Sequence, residues 1–552
     1  MTVLQLADTM LDLLAEEDPL NELLQGYPGY EHRLPDPDEA AESRLRERAQ
    51  ALAQAARELE PAAEDEVTHA LLLQQAESLV DRIDARLIEH TMADYITAPI
   101  AKLLLALPLV RVARVEQEEA YLERLAAVPE FLGKAAQRHR QGVAAGRLPV
   151  AERVAAARTR LEAYLAAPES DPLRRPSLTG VRVEQRDRLL ADEVRPAFAA
   201  YREVLTKEIA PHGRSEERPG LCWLPNGGAT YAALARTHTT TGHTPEELHR
   251  IGLELIERLA GEYVAIGASL FGVRTVTEVH ERMRTDSAMR WKDGAELLAC
   301  ARAAIDRAEA AAPSWFGRLP SHPCALEPTP PEAGEAAAAA YYMPAPMDGS
   351  HPGTFYANTH RANERSRYGM EATSFHEAVP GHHFQITIAQ ELKGLHMLRQ
   401  VAGINAYIEG WGLYAERLAD EMGLYSSALD RLGMLAADSM RAARLVVDTG
   451  LHALGWSRAR VVDYLRANTV MDDVEIQSET DRYIEMPGQA LSYMVGRLEL
   501  QRMRAKAQTE LGAAFDFRAF HDLLLGGGAL PMAVLDGVVS AWSQGLRTSK
   551  SG

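Results

Sequence analysis

The chain has 552 residues, 46% of them hydrophobic and 25% charged, the ordinary composition of a folded globular protein. Lys+Arg of 59 against Asp+Glu of 78 gives a net charge of −19, which argues against nucleic acid and against an anionic membrane as partners. Cys222, Cys300 and Cys324 are too few and too scattered for a disulfide framework or a thiolate metal site, and they suit a reducing compartment. The opening M-T-V-L-Q-L-A-D-T-M lacks a basic leader region, and no apolar run reaches the ~18 residues of a membrane span. The expectation is a soluble, cytoplasmic protein.

Residues 1 to about 215 are rich in Ala, Leu, Glu and Arg. From Asp38 to Leu59 and from Glu64 to Glu89, apolar residues recur three and four apart between charged ones, which predicts long antiparallel helices. Residues 1–215 therefore read as a helical scaffold or lid without chemistry of its own. Its charged faces suit solvent or the contact surface of a homo-oligomer. A turn-rich patch from Pro211 to Gly220 leads into residues 216–552, the expected catalytic region, and the two read as one compact unit. Thr244-Pro245-Glu246-Glu247 is a helix start, with Thr244 as N-cap and Glu247 closing a capping box. His238, His243 and His249 are dispersed and read as structural.

Between Pro313 and Thr359 the pattern changes to short segments punctuated by Pro and Gly. Three strands are predicted, around Cys324–Glu327, Ala338–Met343 and Gly353–Asn358, forming a small antiparallel sheet in a mainly α fold. Asp348 to Gly353 would be a turn, with His351 as a loop histidine. An exposed edge strand offers main-chain hydrogen bonds to an extended peptide, and Tyr356 is a substrate-binding candidate there.

The chemistry concentrates in Ser374-Phe375-His376-Glu377-Ala378-Val379-Pro380-Gly381-His382-His383-Phe384-Gln385. Neutral imidazole is the commonest metal ligand, and a glutamate beside a metal-activated water is a competent general base. His-Glu followed by a further His is an arrangement used by zinc peptidases. On a straight helix, however, His376 and His382 would lie about 240° apart, and His376 and His383 would be separated by roughly 10 Å along the axis. Pro380 cannot donate to the carbonyl of His376, and Gly381 permits unusual dihedrals. Pro-Gly therefore reads as a bulge that rotates the second histidine back toward the first.

Downstream, Tyr407-Ile408-Glu409-Gly410-Trp411-Gly412-Leu413-Tyr414-Ala415-Glu416 reads as a helix with Glu409 and Glu416 on one face. By spacing alone either glutamate would serve as a ligand or simply as an ion-paired side chain. Two glycines inside a helix cost about 1 kcal/mol each, so packing or function must compensate. Helix Leu435–Leu454 carries Arg441, Arg444, Asp448 and His452 at helical spacing. Arg444 and Asp448 suit an i,i+4 pair, and His452 is a candidate for catalysis. In Arg482-Tyr483-Ile484-Glu485-Met486-Pro487-Gly488-Gln489-Ala490-Leu491-Ser492-Tyr493, Arg482 would hold a substrate carboxylate and Tyr483 would contact substrate.

The runs H-E-A-V-P-G-H-H-F-Q, Y-I-E-G-W-G-L-Y-A-E and R-Y-I-E-M-P-G-Q-A-L-S-Y together resemble a large bacterial family of unknown function that is grouped with the gluzincin metallopeptidases. The resemblance covers roughly the C-terminal two-thirds of the chain. It implies a helical zinc peptidase-like protein with one Zn2+ per chain, held by His376, His382 and Glu409. Glu409-Gly410-Trp411 resembles the Asn-Glu-Gly-Phe of aminopeptidases, and Gly381-His382 matches the Gly-His of related enzymes; His383 is the alternative ligand. Glu377 would be the general base and Tyr493 the donor to the developing oxyanion. The implied reaction is hydrolysis of a peptide or amide bond in a small substrate. Alternatives are an enzyme acting on a small amide or amino-acid conjugate, and a non-catalytic helical binding protein.

Overall fold

The computed structural model describes residues 1–24, 29–330, 338–345 and 352–551. Helix accounts for 71% of the chain and strand for 3%, so the fold is mainly α as the apolar spacing led one to expect. Helices start where side chains satisfy their first free N–H groups. Glu247 N donates to Thr244 Oγ1 at 3.2 Å, and Thr244 N donates to the Glu247 carboxylate at 2.9 Å. That box launches the helix Pro245–Phe271, which ends on Gly272 in the left-handed region at φ 72°. The same reciprocal device opens helices at Thr2 and Thr275.

The chain divides into two compact units. The first comprises Met1–Thr237, Gly450–Val461 and Ser478–Pro487; the second comprises His238–Thr449, Val462–Gln477 and Gly488–Gly552. The boundary expected after residue 215 lies inside the first unit. Local composition marked the turns near 211–220 but carried no sign that two later segments belong with the N-terminal helices.

In the first unit, helices Val3–Glu17, Glu39–Arg57, Glu66–Ala85, Val115–Ala144 and Ala151–Ala166 carry the regular spacing read from the sequence. Leu125, Val128, Leu132, Leu161 and Phe198 are buried in its core. Each such burial contributes about 1.5–3 kcal/mol. Its buried Glu89 is ringed by Arg86, Arg138 and Arg147 at 2.5, 3.3 and 2.5 Å, so the buried charge is compensated.

The second unit holds the sheet, β1 (Ala325–Pro328), β2 (Ala340–Met343) and β3 (Thr354–Ala357), in the order β1-β3-β2. All three expected strands form, but the sheet is mixed. β2 runs antiparallel to β3, with Tyr341 opposite Tyr356, while β1 runs parallel to it, with Leu326 opposite Phe355. The purely antiparallel expectation is corrected because β3 takes the centre. Its Thr354, Phe355 and Ala357 are buried, and only a strand paired on both sides satisfies a buried backbone. β2 lies against the helix Met370–Glu377. Of the turn expected at Asp348 to Gly353, residues 348–351 lie outside the described residues.

Helices Asn405–Glu421 and Leu491–Leu511 form the tightest helix pair of this unit. A Cβ on Gly410 would sit 2.5 Å from the Cα of Gly496, and one on Gly496 would sit 1.8 Å from the Ala406 carbonyl oxygen. The backbones touch there. Close dispersion contact is what offsets the helix-weakening glycine at 410.

Candidate metal centre

The stretch Ser374–Gln385 is not one bulged helix. Helix Met370–Glu377 stops, the Val379–Pro380 peptide is cis, and a second helix begins at His382 and runs to Glu391. The bulge expected from the sequence is therefore a full corner. Pro380 removes a donor, and Gly381 lets the chain double back so closely that a Cβ there would lie 1.8 Å from the His376 carbonyl oxygen. The corner is held from another helix: Trp411 Nε1 donates to Pro380 O at 2.9 Å and, at 3.3 Å, to Gly381 O, which also accepts from Gln385 N at 3.1 Å. The corner brings the two imidazoles together, ring centroids 4.7 Å apart and nearly perpendicular at 87°.

Glu409 faces that pair. Its Oε2 lies 3.6 Å from His376 Nε2 and 3.6 Å from His382 Nε2, and one donor atom from each of the three residues lies within 4.8 Å of the others. Tetrahedral coordination with bonds of 2.0–2.2 Å puts ligand atoms about 3.3–3.6 Å apart, which both glutamate–histidine separations match. Among the described residues it is the one such group of three or more His, Cys, Asp or Glu.

The supporting contacts come from the same helix as Glu409. Glu416 Oε1 accepts from His376 Nδ1 at 2.8 Å, which fixes the tautomer and leaves Nε2 with its lone pair toward Glu409. Gly412 makes room for this ring; a Cβ there would meet His376 Cε1, Nε2 and Nδ1 at 2.5, 2.7 and 2.8 Å. Residues 409, 411, 412 and 416 thus supply a candidate ligand, a clamp on the corner, a slot for the ring and a carboxylate behind it. The sequence marked Glu409 and Glu416. The roles of Gly412 and Trp411 were missed, although a second glycine inside the helix was a signal that something packs on it.

The charges are unbalanced for a site of protein groups alone. Glu416 is 1% exposed, and among the described residues neither its Oε2 nor Nδ1 of buried His382 has a hydrogen-bond partner. Burial would lower the His376 pKa, but its bonds to Glu409 and Glu416, and the charge of Glu377, push it up to about 10. Burial would raise the Glu409 carboxyl, but the two histidines outweigh that and hold it well below the usual range. One carboxylate and two imidazoles converge on a point, with a second carboxylate behind the His376 ring, a set that a cation would complete. Glu377 is half-buried and lies near enough to act electrostatically on His376 and on the Cys324 thiol. Among the described residues no hydrogen bond or ion pair ties its carboxylate.

The remaining candidates have other places. His383 has both ring nitrogens engaged: Nδ1 accepts from Tyr342 OH at 3.0 Å, and Nε2–H donates to His322 O at 3.0 Å. It joins β2 to the second helix of the corner, and burial lowers its pKa. Tyr356 is half-buried on β3 and stacks on Tyr341, centroids 5.1 Å apart. Tyr493 is half-buried with the Arg444 guanidinium over its ring at 4.6 Å. Asp448, the expected partner of Arg444, accepts from Gly488 N at 3.0 Å and so caps the Pro-Gly corner.

His452, Arg482 and Tyr483 belong to the first unit, whereas the triad belongs to the second. Within that unit each has partners in the chain. Leu221 N donates to His452 Nδ1 at 3.1 Å, and His452 Nε2–H donates to Tyr483 O at 2.9 Å, leaving no ring nitrogen for proton transfer. Burial lowers its pKa to about 4 despite the Tyr483 bond. Arg482 is bidentate on Glu479, at 3.1 and 2.8 Å, and Tyr483 OH donates to the same carboxylate at 2.5 Å. The carboxylate that Arg482 holds is the chain's own.

The fold and the triad define a helical protein with a His/His/Glu group of metal-binding dimensions. The chain belongs to the family described as "Bacterial protein of unknown function (DUF885)", which it matches over residues 19–539. Its fold is that of a "putative lipoprotein" from Colwellia psychrerythraea, at TM-score 0.90 and 25% identity over 99% of this chain and 100% of that one. A "putative lipoprotein of unknown function" from Shewanella oneidensis shares the fold at TM-score 0.77 and 17% identity, over 98% and 100% of the two chains. No curated protein matches. These findings correct the cytoplasmic expectation, because both full-length structural matches are named as lipoproteins. Few cysteines and an acidic charge suit more than one compartment, so composition had no power to decide it. Among the described residues, no helix is long and apolar enough to cross a membrane.

Proposed function

We propose that this protein is a zinc-dependent hydrolase of peptide or amide bonds in small substrates, related in mechanism to the gluzincin peptidases. The observation that carries this is the triad: His376, His382 and Glu409 with donor atoms mutually within 4.8 Å, backed by Glu416 and flanked by an untied Glu377. These residues fit zinc because two imidazoles and one carboxylate are its usual catalytic donors, and three protein ligands mark a catalytic rather than a structural site. When bound, zinc supplies Lewis-acid activation of water and of the scissile carbonyl.

The protein's own groups do the rest. Glu377 accepts the proton released by the attacking water and passes it to the leaving amine, so it begins and ends each turnover ionised. Glu416 holds the His376 ring with Nδ1–H inward and stabilises positive charge on it. Tyr493 serves as the donor to the oxyanion. The three-stranded sheet offers edges to an extended substrate backbone. The relatives' lipoprotein naming extends to this chain within the same proposal, which places its work at a membrane surface or outside the cytoplasm.

The test is metal analysis of the protein purified without added metal, with hydrolysis of a panel of short peptides and acyl-amino acids by wild type and Glu377→Gln. We expect about one zinc per chain in both proteins and turnover only in wild type. Protein that binds no metal on titration, or Glu377→Gln with undiminished turnover, sinks the reading.

A further inference from the structure

His383 stands beside the candidate ligand His382 without joining the triad, and its ring ties the second helix of the corner to the sheet. Nδ1 accepts from Tyr342 OH at 3.0 Å and faces Thr387 Oγ1 at 3.4 Å, while Nε2–H donates to His322 O at 3.0 Å. Tyr342 lies in β2, and His322 lies three residues before β1. Gly353, just before β3, leaves room for the phenol: a Cβ there would lie 2.0 Å from Tyr342 OH. β2 also lies against the helix Met370–Glu377 that carries His376. The Glu377 charge reaches the thiol of Cys324, immediately before β1, so the general-base candidate stands at the end of the sheet where Ala325, Thr354 and Met343 pair.

The register sets which edge of the sheet can take another backbone. Asn358 N donates to Ala339 O at 3.0 Å, and Tyr341 and Met343 stand opposite Tyr356 and Thr354. Tyr341 and Met343 therefore bond inward to β3, while Ala340 and Tyr342 turn their N–H and C=O groups outward. Among the described residues those outward groups have no hydrogen-bond partner. On the other edge, Ala325 N donates to Gly353 O and Thr329 N to Ala357 O, so Leu326 and Pro328 of β1 point outward. Pro328 has no N–H to offer, and β1 packs against the helix Gly294–Ala311. β2 is the strand whose alternate amides suit an added backbone.

We propose that His383 is a positioning residue of the candidate site: through Tyr342 it holds β2 beside the metal corner, where the outward amides of Ala340 and Tyr342 bind the main chain of an extended peptide. This rests on the proposed hydrolase and narrows its substrate class. Ala340 and Tyr342 are two residues apart, about 6.6–6.8 Å along a strand, so bonding to both takes a peptide of at least about three residues. A dipeptide or an acyl-amino acid reaches only one of them. Because His382 and His383 are adjacent, the ring that anchors β2 and the ring that faces the metal point share one helical turn. Cutting the Tyr342–His383 bond lets β2 shift relative to His382, which weakens main-chain binding and leaves the three ligand side chains in place.

The test is steady-state kinetics of the zinc-loaded full chain on a series of di-, tri-, tetra- and pentapeptides that share one scissile bond. Metal content and thermal midpoint are measured for each protein. In wild type, KM should fall about tenfold from the dipeptide to the tetrapeptide. Tyr342→Phe, and His383→Gln, whose amide reaches His322 O but not Tyr342, should raise the tetrapeptide KM about tenfold. Their kcat and dipeptide KM should change little, with metal retained. His383→Asn offers an Oδ1 in place of Nδ1, still accepts from Tyr342 OH, and should restore most of the tetrapeptide affinity. A lowered thermal midpoint in Tyr342→Phe without this length dependence marks a merely structural bond and overturns the proposal. Equal losses on di- and tetrapeptide, a wild-type KM independent of length, turnover of acyl-amino acids alone, or loss of metal from His383→Gln also overturn it, and each leaves the hydrolase reading standing. A zinc-loaded wild type that turns over neither peptides nor acyl-amino acids sinks that reading and this proposal together.

Discussion

Both units bury histidines as structural wedges, but the second unit also puts one to a different use. In the first unit His452 is wholly buried with each ring nitrogen in one backbone bond, and His139 is wholly buried against Tyr201 OH at 2.7 Å. Desolvation holds both near pKa 4, so both are neutral wedges between helices. In the second unit His376 is almost as buried, yet it sits between Glu409 and Glu416 and its pKa is pushed up to about 10. Burial is common to all three. What separates a structural histidine from a candidate ligand is the company: carboxylates converging on a nitrogen whose partner would be a cation.

The sharpest way to break that comparison is to remove one histidine of each kind. His376→Ala, His382→Ala or Glu409→Gln should each reduce bound metal from about one per chain to none, measured by elemental analysis after gel filtration. His383→Ala and His452→Ala should keep it, because their nitrogens are spent on tyrosine and backbone partners. A metal-replete His382→Ala protein would show that the converging geometry is not a ligand set.

Next in size is the carboxylate behind the ring. Glu416→Gln should weaken metal affinity about 10–100-fold while Glu409 and both histidines stay in place, read by competition with a chelating dye. Gly412→Ala should act in the same direction by pushing on the His376 ring, which has no room to yield.

Smaller still is the stability effect in the first unit. His452→Ala removes the hydrogen bonds to Leu221 N–H and the Tyr483 carbonyl, and should cost about 1–3 kcal/mol in chemical denaturation with metal content unchanged. An equal loss of metal would show that the two histidines are not doing separate jobs.

The smallest and most diagnostic difference is in pH. The folded pKa of His452, about 4, lies below the ordinary 6.5, so its contribution to stability is present above pH 6.5 and fades as pH falls toward 4. The folded pKa of His376 in metal-free protein, about 10, lies above 6.5, so its contribution is present below pH 6.5 and fades as pH rises toward 10. Thermal midpoints of chelator-treated protein should therefore decline at both ends. His376→Gln should flatten only the alkaline limb, and metal added to wild type should remove that decline by replacing the proton. An alkaline limb identical in His376→Gln would refute the assignment.

Much of the fold and part of the site were legible from the residues themselves. Helices are local objects: spacing of three and four, the Thr244 box and the Pro380-Gly381 break act over a few residues, so the mainly α fold and the three strand positions could be read directly. So could the residue types of the candidate site, since His-Glu at 376–377 and Glu409 beside two glycines carry their chemistry on their faces. What local sequence could not contain was the outcome of long-range competition. Whether Pro-Gly makes a bulge or a corner depends on Trp411 arriving to bind its carbonyls. Whether β1 lies parallel or antiparallel depends on which strand takes the buried centre. Whether Arg482 and His452 face a substrate or their own chain depends on Glu479, Leu221 and Tyr483 reaching them first. Residue chemistry determines what a side chain can bond, and only the tertiary structure decides which partner wins, because burial removes water as the alternative and leaves each polar group to whichever neighbour the packing supplies.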